Sequence, residues 1–332
     1  MRYDKPALSI AEQAARLRQR GMEFTDEARV QHYLTHIGYY RLSAYWLPFE
    51  QTAAAGQPRN HQFRPGTTFE QVLSLYIFDR QLRLLVMEAI ERIETAIRTH
   101  WAHALALRHG PHAHLDASQF KSPWQHATDI ARIAGELEGS SETFIAHYRS
   151  HYNEPFLPPI WAVVETLSLG ALSRWFKATK DNEAKREVAK SLGMPTVEVL
   201  EQVLHALTPV RNICAHHGRL WNRRLTLQLP RIKRLNGQMV IEQISATRTH
   251  SRPCDQCGLS VEQQQATVQE QPARQIYNYL LVMAHLMLRI NPRSSWRARL
   301  KQHIQQANPD QQQAMGFPMG WQQLAIWQEP SA

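Results

Sequence analysis

"FEQVLSLYIFDRQLRLLVMEAIERIETAIRTHWAHALALR", residues 69–108, decides the fold class. Val72, Leu75, Tyr76, Leu82, Leu85, Val86, Ile90, Ile93, Ile97 and Trp101 recur at spacings of three and four. That is the period of one face of an α-helix, and no Gly or Pro interrupts it. A strand would alternate every second residue, and this segment does not. A helix of this length with one apolar stripe needs other helices to cover it.

Toward the N-terminus, Ser9 and Glu12 form a capping box that opens a helix stopped at Gly21. Thr25 is placed to cap "DEARVQHYLTHI" (26–37), which Gly38 closes. "YYRLSAYWLPF" (39–49) follows as a third helix closed by Pro48, and residues 51–66 read as a loop. Beyond the long helix, Pro and Ser punctuate 118–123, and helices are expected near 124–138 and 141–150. "NEPFLPP" (153–159) is a rigid connector. "IWAVVETLSLGALSRWFKAT" (160–179) reads as one apolar helix, and 183–192 as a short polar one. Thr196 caps a helix to about 217, with Pro209 as a kink. Residues 225–250 are the least helical. Asn236-Gly237 suits the turn of a small hairpin, and 251–272 reads as an irregular Gln-rich insertion. Helices resume at 273–290 and 294–307. The Phe, Met and Trp residues of "MGFPMGWQQLAIW" (315–327) need cover, so this tail docks.

The expected architecture is therefore all-α. Helices near 69–108, 160–179, 196–217 and 273–290 form a bundle, with an N-terminal helical region over 1–60. The larger helical domain spans 61–332 and carries a less regular insertion at about 225–272.

Composition narrows the function. Apolar content of 43% and charged content of 20% describe a globular protein. Three cysteines form no disulfide framework and fit a reducing, cytoplasmic setting. The N-terminal stretch has no apolar core of the kind a signal peptide needs. The most apolar helix, 276–290, holds Asn278, His285 and Arg289 and is too short to span a bilayer. A net charge of +9 with pI near 9.6 points to a polyanionic partner.

The positive charge is concentrated. From Gln202 to Ile241 there is no Asp or Glu, and Arg211, Arg219, Arg223, Arg224, Arg231, Lys233 and Arg234 lie inside that run. Solvated faces usually mix signs. A one-sign run interleaved with Trp221 fits an anion site better. Its centre is "RNICAHHGRLWNRR" (211–224). A structural reading makes this a helix end, with Gly218 as the stop and cations at the negative end of the dipole. A chemical reading makes Arg211 and His216 a phosphate-handling pair. On a straight helix these two sit about 140° apart, because each residue turns about 100°. Asn212 and His216, by contrast, share a face. An Arg211–His216 site therefore needs a distorted helix end or two copies facing each other.

Other constellations read as ordinary. Arg98 and His103 repeat the R-x4-H spacing and read as an exposed helix face. Glu88, Glu91, Glu94 and Arg92 read as a charged stripe, with a buried Glu paired to a site arginine as the alternative. Asp79, Arg80 and Arg83 suggest a structural ion pair. Tyr39, Tyr40 and Tyr45 could stack bases, though an aromatic stripe at helical spacing is more often core. Cys254 and Cys257, with His250 upstream, lack the second pair that zinc needs, so no metal or other cofactor is expected.

Five segments together carry a resemblance: "IGYYRLSAYWLPF" (37–49), "LYIFDRQLRLLVMEAIERIE" (75–94), "PPIWAVVETLSLGALSRWF" (158–176), "PVRNICAHHGRLWNR" (209–223) and "MGFPMGWQQLAIW" (315–327). In this order they resemble the abortive-infection Abi-like family of bacterial phage-defence proteins, of the AbiD/AbiF type. The resemblance implies a multi-helical HEPN-like bundle whose R-x4-6-H motif cleaves RNA without metal, usually as a homodimer. It implies Arg211 as the motif arginine, Asn212 as the polar residue after it and His216 as the motif histidine, with His217 as the alternative. A small non-coding RNA is an implied partner. Arg219, Arg223, Arg224, Lys233 and Arg234 are then expected to hold flanking RNA phosphates. The competing reading is a non-catalytic RNA-binding protein. A zinc-dependent nucleic-acid binder ranks below both.

Overall fold

The computed structural model describes residues 2, 6–53, 56–253 and 260–328. The chain is mostly helical and divides into two compact units, Met1–Leu84 and Leu85–Ala332, with the division inside the long helix.

The first unit holds α1 (Ile10–Gln19), α2 (Glu27–Ile37), α3 (Tyr39–Trp46) and the start of α4 (Phe69–His109). The Ser9–Glu12 capping box forms as the sequence indicates. The cap of α2 is Asp26, whose side chain accepts the Arg29 N–H, and not Thr25. Gly38 at φ +90° closes α2 and opens α3. Ala14, Leu17, Val30, Leu34, Leu42, Tyr45 and Trp46 are buried, as are Phe69, Val72 and Leu75 of α4. Asp79 and Arg83 pair in this core, and the Tyr45 hydroxyl donates to Asp79 at 2.7 Å. Burial and the Asp79 charge push the Tyr45 phenol well above its usual range. Tyr45 is thus a core residue, as its helical spacing suggests.

In the second unit Ile90, Ile93, Ile97 and Trp101 continue the buried face of α4. Next come α5 (Pro123–Glu138), α6 (Thr143–His151), α7 (Ile160–Thr166), α8 (Leu169–Ala178), α9 (Asn182–Ser191) and α10 (Val197–Ala215). The segment expected as one helix over 160–179 is two. Leu167 is extended, and the Ser168 side chain caps α8 by accepting from the Ala171 N–H. Apolar periodicity runs across the break and hides it. Trp101 packs on Trp175 with ring centroids 6.2 Å apart and donates to the Thr179 hydroxyl. α8 and α10 approach closely at Gly170, where a Cβ would lie 3.1 Å from the Thr208 methyl. Lys185 of α9, 1% exposed, pairs with Glu201 of α10 at 2.5 Å.

The region expected to be irregular is a long hairpin. β1 (Ile241–Pro253) pairs antiparallel with β2 (Ser260–Pro272), from Ile241↔Pro272 to Pro253↔Ser260. Asn236 and Gly237 do turn, at φ +78° for Gly237, but they follow a single 3-10 turn at Lys233–Leu235 and join no strands. Cys254 and Cys257 lie outside the described residues. The hairpin base is clamped to α11 (Ile276–Ile290), where Asn278 accepts from the Val240 N–H and donates to the Val240 and Ala273 carbonyls. That explains a buried amide in a mostly apolar helix.

α12 (Trp296–Gln305) returns to α4, with Trp296 Nε1 donating to the Leu85 carbonyl and Arg299 pairing with Glu88. Glu88 is therefore a helix-to-helix tie. After α13 (Pro309–Ala314) the tail docks as expected: Phe317 packs on Tyr277 and Trp321, and Trp321 on Trp327. No helix among the described residues is long and apolar enough to cross a membrane.

Candidate active site

α10 starts at the Thr196 cap and carries Pro209 inside it. Proline has no N–H, so the ladder lacks one bond in the turn before Arg211. Val210 and Cys214 anchor the last turns in the core. The helix then ends in a Schellman arrangement. Gly218 N–H reaches the Ile213 carbonyl (2.7 Å) and His217 N–H reaches that of Cys214 (3.0 Å). The left-handed position of this motif is normally glycine. Here it is His217, at φ +56°. The stop signal at Gly218 thus lies one residue late. Gly218 serves close approach instead, since a Cβ there would lie 3.3 Å from the Ile213 carbonyl oxygen. A left-handed conformation costs a non-glycine residue about 1–2 kcal/mol, a penalty more tolerable for His than for branched residues.

The reversal leaves His216 and His217 exposed at the helix tip. His216 N–H still bonds the Asn212 carbonyl at 2.9 Å, so His216 remains on the helical path. Arg211 and His216 therefore keep the separation of about 140° expected of a regular helix. Arg211 is half-buried, and its charge acts on Glu94 of α4. Glu94, 8% exposed, bonds Arg98 at 2.6 Å. Burial raises the Glu94 carboxyl pKa, against the lowering pull of Arg98 and Arg211.

Arg98 is not the exposed helix face its spacing suggests. It pairs with Glu94 and Glu165 and donates to the Leu167 carbonyl, which the break between α7 and α8 leaves free. His103 is exposed. The arginines of both R-x4-H stretches thus act on one buried carboxylate, Arg98 by a direct bond and Arg211 by its charge alone. The sequence signal for Glu94 was its place on a charged stripe, and nothing local marks it as buried.

The remaining basic residues differ in their surroundings. Arg219 is half-buried, and Arg223 is exposed with Nη1 3.8 Å from where a Gly218 Cβ would sit. Arg224 makes a two-pronged pair with Glu242 at 2.8 and 2.9 Å, and Arg231 pairs with Glu270 at 3.6 Å. The run is acid-free in sequence, yet folding brings hairpin acids to it. Arg234 donates to the Gly193 carbonyl, and Lys233 is exposed. Trp221 is 3% exposed, so it belongs to the core and not to an anion site. Among the described residues, no group of three His, Cys, Asp or Glu side chains is placed to hold a metal ion.

Residues 32–222 match the family model described as Abi-like protein. The chain belongs to the Abi-like protein family. No curated protein and no solved structure matches it. The matched region of this Abi-like protein contains Glu94, Arg98, Arg211, Asn212, His216 and His217. Arg223, Arg224, Lys233, Arg234, the hairpin and the tail lie beyond it. Family membership suggests a role in abortive infection, a defence against phage.

Proposed function

We propose that this Abi-like protein is a metal-independent endoribonuclease of phage defence, acting in the cytoplasm with its site at the C-terminal tip of α10. One observation carries the reading. The helix ends on two exposed histidines, one in a strained left-handed conformation, a turn beyond a half-buried arginine. In RNA the ribose 2′-OH attacks the adjacent phosphate and expels the 5′-oxygen. His216 or His217 moves the proton at one of these oxygens. Arg211 meets the charge on the phosphorane with its donor fork, and Asn212 orients the imidazole or the phosphate. Glu94 is a positioning residue for Arg211. Imidazole moves the protons and guanidinium meets the charge, so the chemistry calls for no metal. DNA lacks the 2′-OH and resists it.

Because Arg211 and His216 lie on different faces, the active form is a homodimer whose two tips share composite sites. A small non-coding RNA is the partner that holds or restrains it. The test compares wild type with Arg211→Ala and His216→Ala on labelled RNA in EDTA. Each variant should lose about 100- to 1,000-fold in rate while staying folded, and wild-type products should end in 2′,3′-cyclic phosphate. Mixed single mutants should regain activity if the site is composite. A second reading, a non-catalytic RNA binder, draws on the half-buried state of Arg211. It takes over if His216→Ala cuts as fast as wild type.

A further inference from the structure

The first unit contains a second cluster of Arg, His and Tyr, away from the R-x4-H motif in sequence. A cavity of about 560 Å³ opens between α1, α3 and the loop after α3, lined by Arg16, Arg20, Tyr39, Tyr40, Arg59 and His61. At its base lies Glu50, 8% exposed. Arg20 grips one Glu50 oxygen at 2.7 Å, Arg59 pairs with the other, and His61 Nδ1 stands 3.8 Å away. Arg20 is spent structurally. It also donates to the His61 carbonyl and the Tyr39 hydroxyl, and its guanidinium lies over Phe63 at 4.6 Å. Arg59 is engaged as well, with two bonds to Glu50, although it is exposed at the mouth together with Arg16 and His61. Three guanidiniums and an imidazole thus line the cavity against a single carboxylate, and the pocket is cationic.

Tyr40 stands beside these cations. Tyr39 packs on Trp46 at 4.8 Å and Tyr45 is buried, but Tyr40 is 91% exposed. Core packing therefore accounts for two of the three tyrosines and leaves this ring open. His61 carries φ +58°, and the one other non-glycine residue with positive φ among the described residues is His217. Such strain persists only where the surroundings enforce it. Here Arg20 holds the His61 carbonyl at 2.6 Å and so fixes this backbone at the pocket mouth.

We infer that this pocket binds a nucleotide of single-stranded RNA, with the base stacked on Tyr40 and a phosphate held by Arg16 and His61 beside the Glu50-paired Arg59. The choice of RNA rests on the reading of the α10 tip, while the pocket's chemistry stands apart from it. A phosphopeptide would satisfy the cations and leave the open ring face idle. A duplex keeps its bases stacked on one another. A splayed single strand supplies both a free base and its phosphate.

The experiment uses the full-length protein and a fluorescein-labelled 2′-O-methyl RNA decamer, which transesterification cannot cut. Anisotropy is read over a series of KCl concentrations. Tyr40→Ala should weaken binding roughly 5- to 150-fold, as expected of one lost stack, without altering the salt slope. Tyr40→Phe, which keeps the ring, should bind as wild type does. Arg16→Gln should lower the slope by about 0.7, one phosphate contact. Ultraviolet crosslinking should place the decamer on the Tyr40 peptide. Equal affinity for wild type and Tyr40→Ala, with no crosslink at Tyr40, overturns the inference, as does a wild type that does not bind the decamer. Cleavage is scored separately on unmodified RNA. Tyr40-dependent binding without cleavage sinks only the nuclease, and cleavage with Tyr40-independent binding sinks only this pocket.

Discussion

His114 makes a sharp test of the second unit, because its cost can be worked from its surroundings. It lies in a 3-10 turn (Ala113–Leu115) between α4 and α5, and is 1% exposed. Both ring nitrogens are buried without a partner, while its carbonyl accepts from His126 Nε2 at 2.8 Å. Burial, reinforced by His112 and His126, lowers its pKa to about 3 from an ordinary value of 6.5. The neutral imidazole is thus the folded form, and only the unfolded chain takes up a proton above pH 3. Stability from this group is complete above about pH 6.5 and is lost as pH falls toward 3. Each pH unit below 6.5 corresponds to about 1.4 kcal/mol, so at pH 5.0 this histidine alone costs about 2 kcal/mol. His114→Leu keeps the bulk and removes the titration. Urea unfolding of both proteins, followed by tryptophan fluorescence at pH 7.5 and 5.0, should show the variant losing about 2 kcal/mol less on acidification. At pH 7.5 the variant should be no less stable, since two orphaned nitrogens disappear. Equal losses on acidification would refute the assignment of a buried, unpaired imidazole.

Three further outcomes follow from the geometry. His217→Gly relieves the left-handed strain but adds backbone freedom to the unfolded chain. Thermal unfolding should therefore stay within about 1 kcal/mol of wild type, and a loss above 2 kcal/mol would mean the side chain holds the helix end. Arg223→Gln should lower the salt slope of RNA binding by about 0.7, whereas Arg224→Gln, already paired with Glu242, should change it less. Equal slopes for the two would place the phosphates elsewhere. Gly316 sits at φ +87°, with a Cβ 2.6 Å from that of Gln275, so Gly316→Ala should destabilise the second unit by at least about 2 kcal/mol in a thermal melt. A change below about 0.5 kcal/mol would show that the tail yields.

The sequence by itself determined the helical class, the Ser9 capping box, the stop at Gly38 and the docked tail. Those features rest on periodicity and on hydrogen bonds between residues a few positions apart, and both are written locally. The α7–α8 break was not legible, because Leu167 and Ser168 fit the apolar period and the break gains its use only when Arg98 takes the freed carbonyl. The hairpin was missed for a related reason. Its strands are rich in Gln, Thr and Ser, without a clean apolar alternation, and their pairing joins residues as far apart as Ile241 and Pro272. At the candidate site, the motif residues and the helix end were visible in the sequence. Only the tertiary structure decided that Glu94 is buried and bonded to Arg98 under the pull of the Arg211 charge, and that Arg224 is already paired. Each of those depends on burial and on charges from distant elements, and a carboxylate's neighbours are set by helix packing and not by its position along the chain.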